Sequence, residues 1–190
     1  MEVKEFQKLA LRTESIVDEV KVNKQLFLTV LGLIASLNDV LDAMKKSIYY
    51  NDDKKLKEYK ENKNYAFTIE AGVSLLLDGL NRYDSKSEID IDSRVLHGIM
   101  GMSTESGELI EALIKSINEN KPIDATNVSE EMHDSSWYMA VLHDALNLVW
   151  NDGLENVINK LKIRFPDKFT NENAANRDLD SERKALEGKV

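Results

Sequence analysis

Residues 103–117 read STESGELIEALIKSI, and two patterns overlap in this stretch. Apolar residues recur at helical spacing, which predicts a core-packing helix over 93–119 with the stripe Ile99, Met102, Leu109, Ile110, Leu113 and Ile117. Glu105 and Glu108 stand three apart at the edge of that stripe, on a strip shared with Gly101 and Ala112. Small residues around two carboxylates leave room for something to approach. Working outward, the same periodicity predicts helices near 2–20, 23–50, 53–82, 126–149 and 153–164. A mostly polar tail follows, with a short helix near 179–187. Loops are expected at 83–92, 118–122 and 151–153, the first being the best domain boundary. With 2 Pro and 8 Gly in 190 residues, the chain reads as all-α, a helical bundle.

Composition narrows the function classes. The chain has 42% hydrophobic and 31% charged residues, as a globular protein does, and is long enough to bury a real core. Having no cysteine, it has neither disulfides, thiolate metal sites nor a Cys nucleophile. A net charge of −9 argues against a nucleic-acid surface, which needs a basic stripe. It leaves free nucleotides open, since a metal bridges an acidic site to phosphates. The apolar run LFLTVLGLIASL (26–37) is too short to span a bilayer and reads as a buried helix, so no membrane is expected. MEVKEFQKLA lacks the apolar core of a signal peptide, and the expected location is cytoplasmic.

The two halves resemble each other. DVLDAMKKSI (39–48) aligns with ELIEALIKSI (108–117), which brings Gly32 onto Gly101, and LLLDGLN (75–81) aligns with VLHDALN (141–147). This ordering suggests a duplicated helical hairpin, a pseudo-dimer in one chain. In the first copy Ser36 replaces Glu105, Tyr65 replaces Glu131 and Thr68 replaces Asp134. Residues 1–85 are thus expected to form a degenerate helical repeat that serves as packing partner, and 92–190 the catalytic domain with its tail.

On the helix expected over 126–149, Glu131 and Asp134 fall on the apolar face itself, in line with Tyr138, Val141, Leu142, Ala145 and Val149. Two carboxylates on a core-facing stripe are costly unless a cation or donor compensates them. Four carboxylates from two neighbouring helices, with neither Cys nor a His cluster, favour an oxygen-liking ion, Mg²⁺ or Mn²⁺.

ESGE (105–108) followed by EEMHDSSWY (130–138) resembles the ExxE…ExxD signature of the MazG-like all-α nucleoside triphosphate pyrophosphohydrolases. NKLKIRFPDKF (159–169) and NRDLDSERKALE (176–187) are similar to segments that follow it, and EFQKLALRTE (5–14) to the common N-terminal helix. The resemblance covers roughly 97–187. It implies Mg²⁺-dependent cleavage of a (d)NTP to the monophosphate and pyrophosphate, with Glu105, Glu108, Glu131 and Asp134 as metal ligands and catalytic residues. The family pattern has Gly before the final Asp where this chain has His133. Relatives often dimerise, so a homodimer is one expectation, and a nucleoside triphosphate is the expected partner. Rival readings are hydrolysis of another pyrophosphate-containing nucleotide, such as phosphoribosyl-ATP or an alarmone, and a non-catalytic helical assembly module.

Around the quartet, Glu111 and Glu130 read more naturally as solvated acids than as ligands. Lys115, Lys160, Arg164, Lys168 and Arg177 are candidates for phosphate binding, against the plainer reading of solvating, dipole-complementing cations. Trp137 and Tyr138 are candidates for stacking on a base, against ordinary core packing. His97, His133 and His143 have no metal-ligand spacing, and no dinucleotide or phosphate-loop fingerprint is present.

Overall fold

The protein was analysed as a computed structural model, which describes residues 2–61, 63–81 and 87–189. Its elements are α1 (Val3–Ala10), a 3₁₀ turn (Leu11–Thr13), β1 (Lys21–Val22), α2 (Lys24–Tyr50), α3 (Lys54–Glu61), α4 (Lys63–Asn81), β2 (Ser87–Glu88), α5 (Ser93–Glu119), α6 (Ala125–Ala145), α7 (Trp150–Arg164), α8 (Asn171–Ala175) and α9 (Leu179–Leu186). The all-α class stands; the one sheet among the described residues pairs Lys21 with Glu88 and Val22 with Ser87, antiparallel.

The chain divides into two compact units, otherwise than at 85–92 alone. One holds residues 1–18, 91–167 and 178–190; the other holds 19–90 and 168–177. The N-terminal segment thus belongs with the C-terminal hairpin, and its helix is shorter than expected. Helical geometry ends at Thr13, and Glu14 is already extended. Glu14 is drawn away by Arg94, which donates to it from Nε (2.6 Å) and Nη2 (2.8 Å) and from Nη2 to Asp144 (2.7 Å). The Glu14 side chain is almost fully buried, so this two-pronged pair fixes where the chain enters the unit.

In that first unit α5 and α6 form the central pair, α1 packs on α6, and α7 packs on α9. Asp92 caps α5 by accepting from the N–H groups of Arg94 and Val95, and Asp124 caps α6 through Thr126 and Asn127. Asn120 ends α5 in the left-handed region (φ 50°), its N–H and that of Lys121 returning to the carbonyls of Ile117 and Ser116. The turn expected at 151–153 lies earlier. Asn147 takes the left-handed conformation (φ 53°), and α7 begins at Trp150 with Asp152 in its first, dipole-complementing turn.

Most of the apolar stripe predicted to bury α5 is turned outward within its unit, with Met102 and Leu109 half-buried. Ile99, Ile110, Leu113 and Ile117 are 40–69% exposed, and the buried face is instead Gly98, Gly101 and Glu105. Glycine decides this rotation. A Cβ on Gly98 would come within 2.5 Å of Leu142, and one on Gly101 would overlap the Tyr138 ring. Their absence lets the two helices approach closely, so the space expected around Gly101 is filled by Tyr138.

In the second unit α2 packs on α3 and α4. The segment predicted as one helix over 53–82 comprises α3 and α4. α2 and α5 are both 27 residues long, follow an Asx cap at Asn23 and Asp92, and end on left-handed asparagines, Asn51 and Asn120. Of α2 only Leu26 and Ala43 are buried, so 26–37 is not the buried segment expected; Leu28, Leu31, Ile34 and Leu37 are exposed within the unit. By length and composition alone α2 passes for a membrane span, with mean hydropathy 1.6 over 18 residues. The expected loop at 83–92 and the side chains at Tyr65 and Thr68 lie wholly or partly outside the described residues.

Candidate metal centre

Glu105 from α5 meets Glu131 and Asp134 from α6, with one carboxylate oxygen of each within 4.8 Å of the others. Glu131 and Glu105 are buried, 4% and 9% exposed, while Asp134 is exposed. Their placement follows from the helix geometry above. Glu105 continues the Gly98–Gly101 face by one turn, and Glu131 and Asp134 continue the Tyr138–Val141 face of α6. Glu108, one turn beyond Glu105, is exposed and outside this tight trio.

The electrostatics are those of clustered negative charge. Burial pushes the Glu105 carboxyl up from its ordinary range, helped by its hydrogen bond to Glu131 and then by the charges of Glu108 and Asp134. Glu108 is pushed up too, first by the charge of Glu131. Tyr138, raised by burial and next by the charge of Glu105, places its phenol among the same acids.

Asn127 is the site residue that pattern reading missed. Its Nδ2 donates to Glu131 Oε1 at 2.5 Å, holding the buried carboxylate in place. The available signal was its position one turn before Glu131 on the same face of α6. A donor set of three carboxylates, two of them buried, fits an oxygen-liking divalent cation such as Mg²⁺ or Mn²⁺.

The other predicted contacts have different employment. Trp137 donates from Nε1 to the Ala10 carbonyl and to Thr13 Oγ1, both at 2.9 Å, which fastens the 3₁₀ turn to α6. Its ring meets Tyr138 and His97 edge-on. Arg164 donates to the buried Glu182 from Nε and Nη2, so it holds α9 on α7. Lys160 lies on α7, whose main packing partner is α9, while Lys168 and Arg177 belong to the second unit. Glu111 and Glu130 are exposed. His133 and His143 make bonds to the carbonyls of Ser129 and Met139, one turn back.

No family model matches the chain, and no curated protein or solved structure is significantly similar to it.

Proposed function

We propose that this chain is a divalent-cation-dependent nucleoside triphosphate pyrophosphohydrolase of the MazG-like type, converting a (d)NTP to the monophosphate and pyrophosphate. The observation that carries the reading is the meeting of Glu105, Glu131 and Asp134 from two helices, two of them buried. A cluster of this kind stores repulsion that a cation relieves, and it lies where the ExxE and ExxD segments come together. A bound Mg²⁺ or Mn²⁺ would neutralise phosphate charge and act as a Lewis acid at the scissile anhydride. Glu105, Glu131 and Asp134 would hold it, and Asn127 keeps Glu131 aimed. Glu108, solvent-facing and made more basic by its neighbours, accepts the proton of the water that attacks the α-phosphorus.

The matched lengths and caps of α2 and α5 support descent of both hairpins from one duplicated unit, the first copy having lost its acids. The outward stripe Ile110, Leu113, Ile114 and Ile117 supports self-association, and a homodimer is the simplest assembly.

A panel of NTPs and dNTPs with Mg²⁺, scored for pyrophosphate against phosphate release, tests the function. Pyrophosphate is expected. No divalent-dependent turnover, with no thermal shift on adding Mg²⁺ or Mn²⁺, would favour a non-catalytic assembly module instead.

A further inference from the structure

A second feature of the α5–α6 pair is a cavity of about 370 Å³ beside their connecting turn, lined by Lys115, Ser116, Glu119, Lys121, Asp124 and Asn127, among others. That volume is in the range of small-ligand sites. We infer that this cavity seats the pyrophosphate end of the substrate, with Lys115 as its cation; the inference rests on the function proposed above.

Charge accounting singles out Lys115. Lys121 is paired with Glu119 at 2.9 Å, Asp124 is spent on capping α6, and Ser116 Oγ donates to the Lys121 carbonyl. Lys115 makes no hydrogen bond or ion pair among the described residues. The contrast with α2 is instructive. Lys46 occupies the position that aligns with Lys115, and it is neutralised by Asp42 at 2.7 Å. Glu111, which aligns with Asp42, makes no such bond to Lys115.

The direction of the substrate follows from the order of residues along both helices. On α5, His97 precedes Glu105 and Lys115 follows it; on α6, Asn127 precedes Glu131 and Trp137 and Tyr138 follow Asp134. The aromatic cluster and the cavity therefore flank the acids on opposite sides. No aromatic side chain lines the cavity, which suits phosphate better than a base. Asn127 belongs to both sites, since it lines the cavity and donates to Glu131. Lys115 lies seven residues past Glu108, about 10 Å along the axis on the same face. The N-terminus of the 21-residue α6 adds its positive dipole end. With the α-phosphorus at the acids, the β- and γ-phosphates point into the cavity, and cleavage leaves pyrophosphate there.

Calorimetric titration of the full-length protein with Mg²⁺ alone and with Mg²⁺ and inorganic pyrophosphate tests the assignment. Lys115→Gln is expected to weaken pyrophosphate binding about tenfold or more, to leave Mg²⁺ affinity unchanged, and to be rescued by Lys115→Arg. Lys162→Gln on α7 controls for net charge. Unchanged pyrophosphate affinity in Lys115→Gln, or an equal loss in Lys162→Gln, overturns the seat while leaving the function standing if the wild type still splits triphosphates. A wild type that binds neither Mg²⁺ nor pyrophosphate overturns both.

Discussion

Glu105 is a buried acid whose carboxyl is pushed up by that burial and by the acids around it, and this makes the metal-free fold pH-sensitive in a definite direction. Its folded-state pKa is raised, as is that of Glu108, so between the ordinary carboxylate value near 4 and the raised values the folded state holds more protons than the unfolded one. Stability therefore falls as pH rises through that window. Asp42 acts oppositely. Held down to about 2 by Lys45 and Lys46, it contributes stability that is lost only as pH drops from about 4 towards 2. Metal-free protein is expected to melt highest just above the ordinary carboxylate range and lower near neutrality, with Glu105→Gln flattening the decline. Because protons compete with cations for the same oxygens, added Mg²⁺ is expected to raise the melting temperature more at pH 7 than at pH 4.5. Melting curves across pH, with and without Mg²⁺, check both; a Mg²⁺ effect that is absent or independent of pH contradicts the assignment.

Helices α2 and α5 were legible almost to the residue, because Asx caps and left-handed asparagines bracket long periodic runs. The face that α5 buries was not. Apolar counting chose Ile110, Leu113 and Ile117, whereas close approach at Gly98 and Gly101 turns Glu105 inward. Of the two acids aligned with the apolar face of α6, Glu131 is buried beside Val141 and Tyr138 on that face, whereas Asp134 is exposed at its edge. The cations at 160–177 were not assignable from sequence, because pairing such as Arg164 with Glu182 depends on a distant helix. Two glycine substitutions separate packing from propensity. Gly101→Ala forces Tyr138 to move and is expected to destabilise by about 1–3 kcal/mol. Gly107→Ala, with nothing within 4 Å of its Cβ, is expected to stabilise α5 by roughly 0.5–1 kcal/mol. Urea denaturation measures both, and an unaffected Gly101→Ala would refute the close approach of α5 and α6.

Across the whole molecule, the first unit is assembled from separated pieces of chain. Val17 and Ser93 come together through a hydrogen bond of 2.9 Å, although the intervening residues 19–90 belong to the other unit. A fragment spanning 92–190 keeps α5 and α6 but lacks Glu14 and the Ala10–Thr13 turn, the partners of Arg94 and Trp137. Restoring 1–18 through a short Gly-Ser linker to residue 91 is expected to raise the fragment's melting temperature by about 10 °C or more. Equal melting would show that the N-terminal segment is dispensable to the unit.

The most direct test of the account asks which bond breaks. A nucleoside triphosphate incubated with Mg²⁺ in ¹⁸O-water, with products resolved by mass, reports where water attacks. Labelled nucleoside monophosphate with unlabelled pyrophosphate is predicted, together with a fall in turnover of about 10²-fold or more in Glu108→Gln, the residue proposed as base. Label in the pyrophosphate, or a diphosphate product with free phosphate, would contradict attack at the α-phosphorus and with it the reading of the carboxylate centre.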